Sequence, residues 1–268
     1  MKTGYHSVYA INYFDGINAA AENSFDFAQF ELGVPAFFLD ALTAKSLKNI
    51  RNYAHEKNVE ITFHAPGDNV SLYCDYPLIR QGILDQFKLI LEKANILNAR
   101  HLTIHSGNYS SYKKSGKNAD GSFAPPNYFE DVLCENINYL VDNAGDTLIC
   151  VENHGFNETA RNALRRLLAE NNRLFLTLDA AKLYGGNELI KEDYMFFREN
   201  KDRIREIHIH DLIPCFRSHQ TVGTGIVDFN LFKEFLNEDV YLNFEVRPVE
   251  EAKISKDRLF QIWMSRNS

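Results

Sequence analysis

The sequence predicts a parallel α/β barrel, a single (β/α)8 domain over residues 1–268, and three observations lead there. At 268 residues the chain exceeds an average domain but suits a barrel of this kind folding as one unit. Short β-rich runs alternate with helical stretches eight times, which predicts a parallel sheet with right-handed crossovers. No glycine-rich phosphate loop follows the first run, as an open nucleotide-binding sheet would usually show, so closure into a barrel is favoured.

The β-rich runs are SVYAINY (7–13), FAQFELG (27–33), EITFHAP (60–66), HLTIHSG (101–107), TLICVENHG (147–155), LFLTLDA (174–180), IREIHIHD (204–211) and YLNFEVRP (241–248). The clearest helix is 78–97, where Ile79, Ile83, Phe87, Ile90, Leu91, Ala94 and Leu97 recur at three- and four-residue spacing and form one apolar stripe. Similar stripes run through 43–57, 128–143, 159–170 and 228–236, and less regular ones through 188–202 and 249–264. The first crossover, around 17–24, is the poorest and predicts a turn or two of helix. The segment 108–126, NYSSYKKSGKNADGSFAPP, is long and polar; it reads as a mobile surface loop or, following a barrel strand, as a lid.

Composition excludes several classes. With 45% apolar and 24% charged residues the chain can bury a sizeable core and is neither fibrous nor disordered. A net charge of −7 argues against a broadly basic surface, so nucleic acid is a disfavoured partner. The four cysteines, Cys74, Cys134, Cys150 and Cys215, form no CxxC pair and read as reduced thiols. The N-terminus lacks the uninterrupted apolar core of a secretory signal, and no apolar run approaches the ~20 residues of a membrane helix. A cytoplasmic protein with no membrane partner is the expectation, with a homo-oligomer left open.

Six strands finish in a residue able to bind a metal: His64, His105, Glu152, Asp179, His208 and Glu245. Side chains alternate along a strand, so Thr62 and His64 oppose Ile61 and Phe63, and the other five strands repeat that phase. With the aliphatic set against the surrounding helices, all six polar groups face the lumen near the C-terminal mouth, where barrel active sites form. A lone histidine there is more often a hydrogen-bonded structural residue, and a lone acid an N-cap. Three carboxylates and three imidazoles buried together are electrostatically expensive without a cation. A divalent metal is therefore expected.

The order FHAP, HSG, VEN, LD, HxHD, HxxxGxG and ExRP resembles the xylose-isomerase-like barrel superfamily, which includes endonuclease IV and the sugar isomerases and epimerases. The resemblance covers nearly the whole chain. It implies a metal quartet of Glu152, Asp179, His208 and Glu245. It also implies that His64 and His105 match the histidines that in endonuclease IV hold a second metal bridged by the glutamate at position 152. The endonuclease pattern places a histidine three residues after the aspartate, where this chain has Lys182. It places an aspartate two residues before the next histidine, where this chain has Arg217; only His219 remains of that third metal site. Lys and Arg are cations themselves and poor ligands, which sets the three-metal mechanism aside.

The preferred reading is a metal-dependent isomerase or epimerase of a small sugar or sugar phosphate. Such chemistry needs a cation to polarise a carbonyl and carboxylates to move a proton. Glu152 and Glu245, from the fifth and eighth strands, are the candidate acid and base, while Asp179 and His208 serve mainly as ligands. Mn, Mg or Co suits the quartet; adding His64 and His105 shifts the preference towards Zn. Lys182, Arg217 and Arg247 are candidate contacts for substrate oxygens or a phosphate, each with a salt bridge as the plainer alternative, and His219 is a further substrate-binding candidate. His210 has the lumenal phase and suits substrate binding or a hydrogen bond to a ligand; Asn153 is out of phase. Glu31 suits a sugar hydroxyl or an internal ion pair. The alternatives are a phosphodiesterase like endonuclease IV, with Lys113, Lys114 and Lys117 meeting the backbone, and a non-catalytic barrel that binds sugar or metal.

Overall fold

The computed structural model describes residues 1–67, 70–109, 112–113, 120–121, 127–214 and 217–265. Eight parallel strands close into a barrel: β1 (Lys2–Ser7), β2 (Phe27–Glu31), β3 (Glu60–His64), β4 (His101–His105), β5 (Leu148–Glu152), β6 (Leu174–Asp179), β7 (Ile204–Ile209) and β8 (Tyr241–Phe244). β1 pairs with both β2 and β8, so no barrel edge is left open. The predicted (β/α)8 barrel is the fold of this chain.

Among the described residues seven α-helices cover the outside: α1 (Tyr13–Glu22), α2 (Ala44–Glu56), α3 (Pro77–Leu97), α4 (Tyr128–Asp142), α5 (Glu158–Glu170), α6 (Lys191–Glu199) and α7 (Val249–Met264). α3 follows the predicted stripe from its middle onward: Phe87, Ile90, Leu91, Ala94 and Leu97 are buried, whereas Ile83 is half-buried and Ile79 is exposed; Pro77 occupies the first turn and Asn98 ends the helix in the left-handed conformation.

Three elements differ from expectation. The first strand is Lys2–Ser7, ending where the predicted run 7–13 begins; that run bends away from the barrel and leaves Tyr9 76% and Ile11 77% exposed. The poorly predicted first crossover is a ten-residue helix starting at Tyr13, capped by Asn12, whose side chain accepts from the Asp15 N–H. The predicted helix 228–236 is a 3-10 segment, Phe229–Phe235, with Phe229, Phe232 and Phe235 buried three residues apart, the period of that tighter helix. Most of 108–126 lies outside the described residues; within it, Tyr112–Lys113 pairs antiparallel with Asp120–Gly121.

The lumen is filled in layers. At the N-terminal end the Phe27 ring packs beside Tyr241, with centroids 5.1 Å apart, and Gly4 leaves it room, since a Cβ there would lie 2.4 Å from the ring. Above it, Gln29, Thr103, Thr177, Glu206 and Asn243 form a buried polar layer. Glu206 accepts from Gln29 at 2.8 Å and from the Thr103 hydroxyl at 2.5 Å, and Asn243 donates to Gln29 at 2.6 Å. The C-terminal layer carries the candidate site.

Candidate metal centre

Strand register sets the mouth residues side by side. Glu31 is level with His64, His105 with Glu152, and Asp179 with His208. His6 on β1 joins them, with Nδ1 3.2 Å from Glu245 Oε1. Every strand of the barrel thus delivers an ionisable group to the mouth, seven from within the strand and Glu245 from the residue after β8.

Three groups of donors emerge. Glu152 Oε2 lies 3.1 Å from His64 Nε2 and 3.0 Å from His105 Nε2. His208 Nδ1 lies 3.7 Å from the same Glu152 oxygen and 3.3 Å from Glu245 Oε1, and Asp179 completes a group with Glu152 and His208. On the far side His210, His219 and Glu245 converge, with Glu245 Oε2 3.5 Å from His219 Nε2. The structure therefore brings together all six residues of the predicted constellation, and Glu152 is common to the first two groups.

These donors fit a divalent cation. His208 is fully buried, yet neither ring nitrogen makes a hydrogen bond, although carboxylate oxygens lie 3.3 to 3.7 Å away. Burial alone would raise the Glu152 carboxyl, but Lys182, His208 and His105 hold it well below the usual carboxylate range. Glu245 is likewise held low against burial by His208, His219 and His6. Burial opposes charge on His64, but Glu31 and Glu152 push it up to about 10; Glu245, Glu206 and Glu152 raise His208 in the same way. Both carboxylates are thus held in the charged form by the positive groups around them.

The remaining predicted residues fall into distinct places. Lys182 Nζ contacts Glu152 Oε1 and lies 3.1 Å from Asp179 Oδ2, forming the salt bridge that was the plainer alternative. Glu31 pairs with His64 Nδ1 at 3.0 Å, again an internal ion pair. The His219 backbone N–H donates to His210 Nδ1 at 3.0 Å, and His210 Nε2 lies 3.2 Å from Asp179 Oδ2, a contact that orients Asp179. Arg247 donates to His6 Nδ1 at 3.0 Å on the rim of the mouth. The side chains of Arg217 and Lys113, and residues Lys114 and Lys117, lie outside what is described, and with them the DNA contacts expected of the three lysines. Asn153, out of phase as expected, ties β5 to β6 instead: its Oδ1 accepts the Asp179 N–H at 2.7 Å and its Nδ2 donates to Asp179 O at 3.1 Å.

Four participants were not foreseen. His6 was hidden by the misplaced first strand. Glu206 lies one layer below His208, with Oε2 3.3 Å from its Nε2. His154 stacks on His105 at 4.1 Å; burial, Lys182 and His105 lower it to about 4, so it stays neutral at pH 7. Asp211 joins two of the sequence motifs, accepting the Gly223 and Gly225 N–H groups at 2.9 and 2.8 Å and so anchoring the loop that carries His219. Gly225 is required there, because a Cβ would lie 2.2 Å from the Leu212 carbonyl oxygen. The HxHD and HxxxGxG spacing was the available signal for that contact.

Beside the donors opens a cavity of about 560 Å³, lined by His6, Glu31, His64, His105, Arg247 and Phe38 among others. Its size suits a small-molecule ligand.

A family model for xylose isomerase-like TIM barrels matches residues 17–260. The chain belongs to this family. It is 24% identical over 214 residues to an uncharacterized protein of Methanocaldococcus jannaschii, covering 78% of this chain and 80% of that one. A D-tagatose 3-epimerase-like protein shares the fold at TM-score 0.77 and 19% identity, covering 100% of this chain and 98% of that one. D-psicose 3-epimerase of Clostridium cellulolyticum H10, solved with D-tagatose, superposes at TM-score 0.73 and 14% identity, covering 98% and 99%. The IolI protein, solved with a zinc atom, superposes at TM-score 0.76 and 15% identity, covering 99% and 100%. At these identities the likeness to solved structures is one of fold.

Proposed function

We propose that this member of the xylose isomerase-like family is a divalent-metal-dependent isomerase or epimerase of a small sugar or sugar phosphate. One observation carries the reading: Glu152 and Glu245 reach the mouth from β5 and β8 and flank His208, whose Nδ1 is 3.7 and 3.3 Å from their oxygens. Two ionised carboxylates on different sides of one point suit a reaction that takes a proton from carbon on one face and returns one. The fold neighbours support this choice, since two are titled ketose 3-epimerases or like them and a third was solved with zinc.

Glu152, Asp179, His208 and Glu245 would hold the metal, with His64 and His105 beside them. Bound there, a divalent cation would polarise a substrate carbonyl and its neighbouring hydroxyl. Glu152 and Glu245 would accept and return the proton; the Glu152 oxygen turned away from His208 is Oε1, in contact with Lys182 Nζ. Asn153 and His210 would hold Asp179 in place.

The test is hydrogen exchange in D2O. Protein supplied with Mn²⁺ is incubated with a panel of ketoses, aldoses and their phosphates, and loss of the hydrogen beside the carbonyl is followed by NMR. Exchange with at least one sugar is expected, and Glu152→Gln and Glu245→Gln should each lower it by at least ~10²-fold, the scale of a lost general base. A full panel without exchange would sink the reading.

The His64–His105–Glu152 group favours a second reading, a metal-dependent phosphodiesterase. Nicking of abasic duplex DNA that disappears in Glu152→Gln would establish it in place of the first.

A further inference from the structure

The mouth holds more fixed charge than proton transfer calls for. Four carboxylates meet there, Glu31, Glu152, Asp179 and Glu245, against the cationic side chains Lys182 and Arg247. How a metal ion is received there depends on where these two positive side chains sit.

The two cations are deployed differently. Arg247 turns to His6 on the rim. Lys182 turns inward: its Nζ contacts Glu152 Oε1 and lies 3.1 Å from Asp179 Oδ2, and its own N–H donates to Asp179 Oδ1 at 3.0 Å. Both carboxylates are fully buried. Among the described residues, Lys182 alone places a fixed positive charge directly on candidate metal ligands. Glu152 belongs to both of the candidate ligand groups that contain His64 and His208. Its Oε2 faces His64 and His105 at 3.1 and 3.0 Å, while Oε1 is taken by the ammonium. Substrate contact alone would not require Lys182 to bind both acids this closely.

We propose that the Lys182 ammonium is a built-in counter-cation that limits the centre to one divalent ion, standing in for a second on Glu152 and Asp179. This rests on the metal-dependent reading above. Removing the charge while keeping the length of the side chain, as in Lys182→Met, frees Glu152 Oε1 and relieves repulsion felt by any incoming cation.

The experiment measures metal content and Mn²⁺ affinity for the parent protein, Lys182→Met and Lys182→Arg, by elemental analysis and titration calorimetry. The parent and Lys182→Arg are expected to take one ion per chain. Lys182→Met is expected to take two, with the first bound at least about tenfold more tightly, the least that loss of one charge in contact with the ligands should give. Should Lys182→Met not melt cooperatively, Lys182→Gln replaces it. Two ions in the parent, or one ion in the uncharged variant with affinity within about threefold of the parent, would overturn the counter-cation. A parent protein and variants that bind neither Mn²⁺ nor Zn²⁺ would overturn it together with the metal-dependent reading, so the two failures are told apart.

Discussion

Glu206 lies behind His208, one layer deeper in the lumen. The Glu206 Oε2 lies 3.3 Å from His208 Nε2, leaving Nδ1 to face Glu152 and Glu245. Glu206 is itself fully buried; burial would raise its carboxyl, but His101 and His208 hold it below the usual range, so it remains a charged partner. Carboxylates behind a ligating imidazole fix its tautomer and strengthen it, and losing one lowers metal affinity about 10–100-fold. Glu206→Gln is therefore expected to weaken Mn²⁺ binding by that factor in calorimetric titration. An affinity within threefold of the parent would remove Glu206 from this role. The six strand-end ligand candidates were legible in the sequence because alternation fixes which face a residue takes. Glu206 has the same phase as His208, but nothing in sequence shows that a carboxylate two residues earlier sits behind the ring; that depends on Gln29 and Thr103 arriving from β2 and β4.

At the scale of elements, the misreadings have separate physical causes. The run 7–13 is β-rich in composition, while the true strand Lys2–Ser7 carries Gly4 and Lys2, which local propensity disfavours. The lumen decides instead, since the Phe27 ring needs the space that Gly4 leaves. Phe229, Phe232 and Phe235 look like a helical stripe because seven residues are too few to separate a period of 3.0 from 3.6. Helix α1 was weak by periodicity because Ala19, Ala20 and Ala21 blur its faces, yet its cap is strong. Asn12 accepts the Asp15 N–H at 3.0 Å, and the Asp15 carboxylate accepts the Ile11 N–H at 3.0 Å in return. Asn12→Ala should destabilise the protein by about 1 kcal/mol, seen as a fall in Tm of about 2–4 °C. Asn12→Ser, which keeps an acceptor, should recover most of the loss. A Tm unchanged in Asn12→Ala would show that the cap is held by packing of Tyr13 and Ile17 alone.

For the whole molecule, metal binding should be coupled to protons. Without metal, burial opposes charge on His64, but Glu31 and Glu152 raise it from 6.5 to about 10; His208 is raised too, by Glu245, Glu206 and Glu152. A folded value above the unfolded one means that His64 contributes stability in full below pH 6.5, and the contribution fades as pH rises through about 10. The metal-free protein should accordingly lose thermal stability across that window. A ligating imidazole must give up the proton on its donor nitrogen, so binding releases protons and tightens as pH rises, by about tenfold per unit for each proton released. The stabilisation conferred by a fixed excess of Mn²⁺ then grows with pH, because it follows the ratio of metal to Kd. Loaded and metal-free proteins should therefore diverge in Tm between pH 6.5 and 9. Calorimetry in buffers of different ionisation enthalpy counts the protons: one is expected if the Glu152–Asp179–His208–Glu245 set alone binds, and two if His64 also gives up its proton. His64→Gln separates these cases, leaving the first count unchanged and lowering the second by one. A metal-induced Tm shift that stays flat from pH 6.5 to 9, with no proton released, would mean that the cation binds away from both imidazoles.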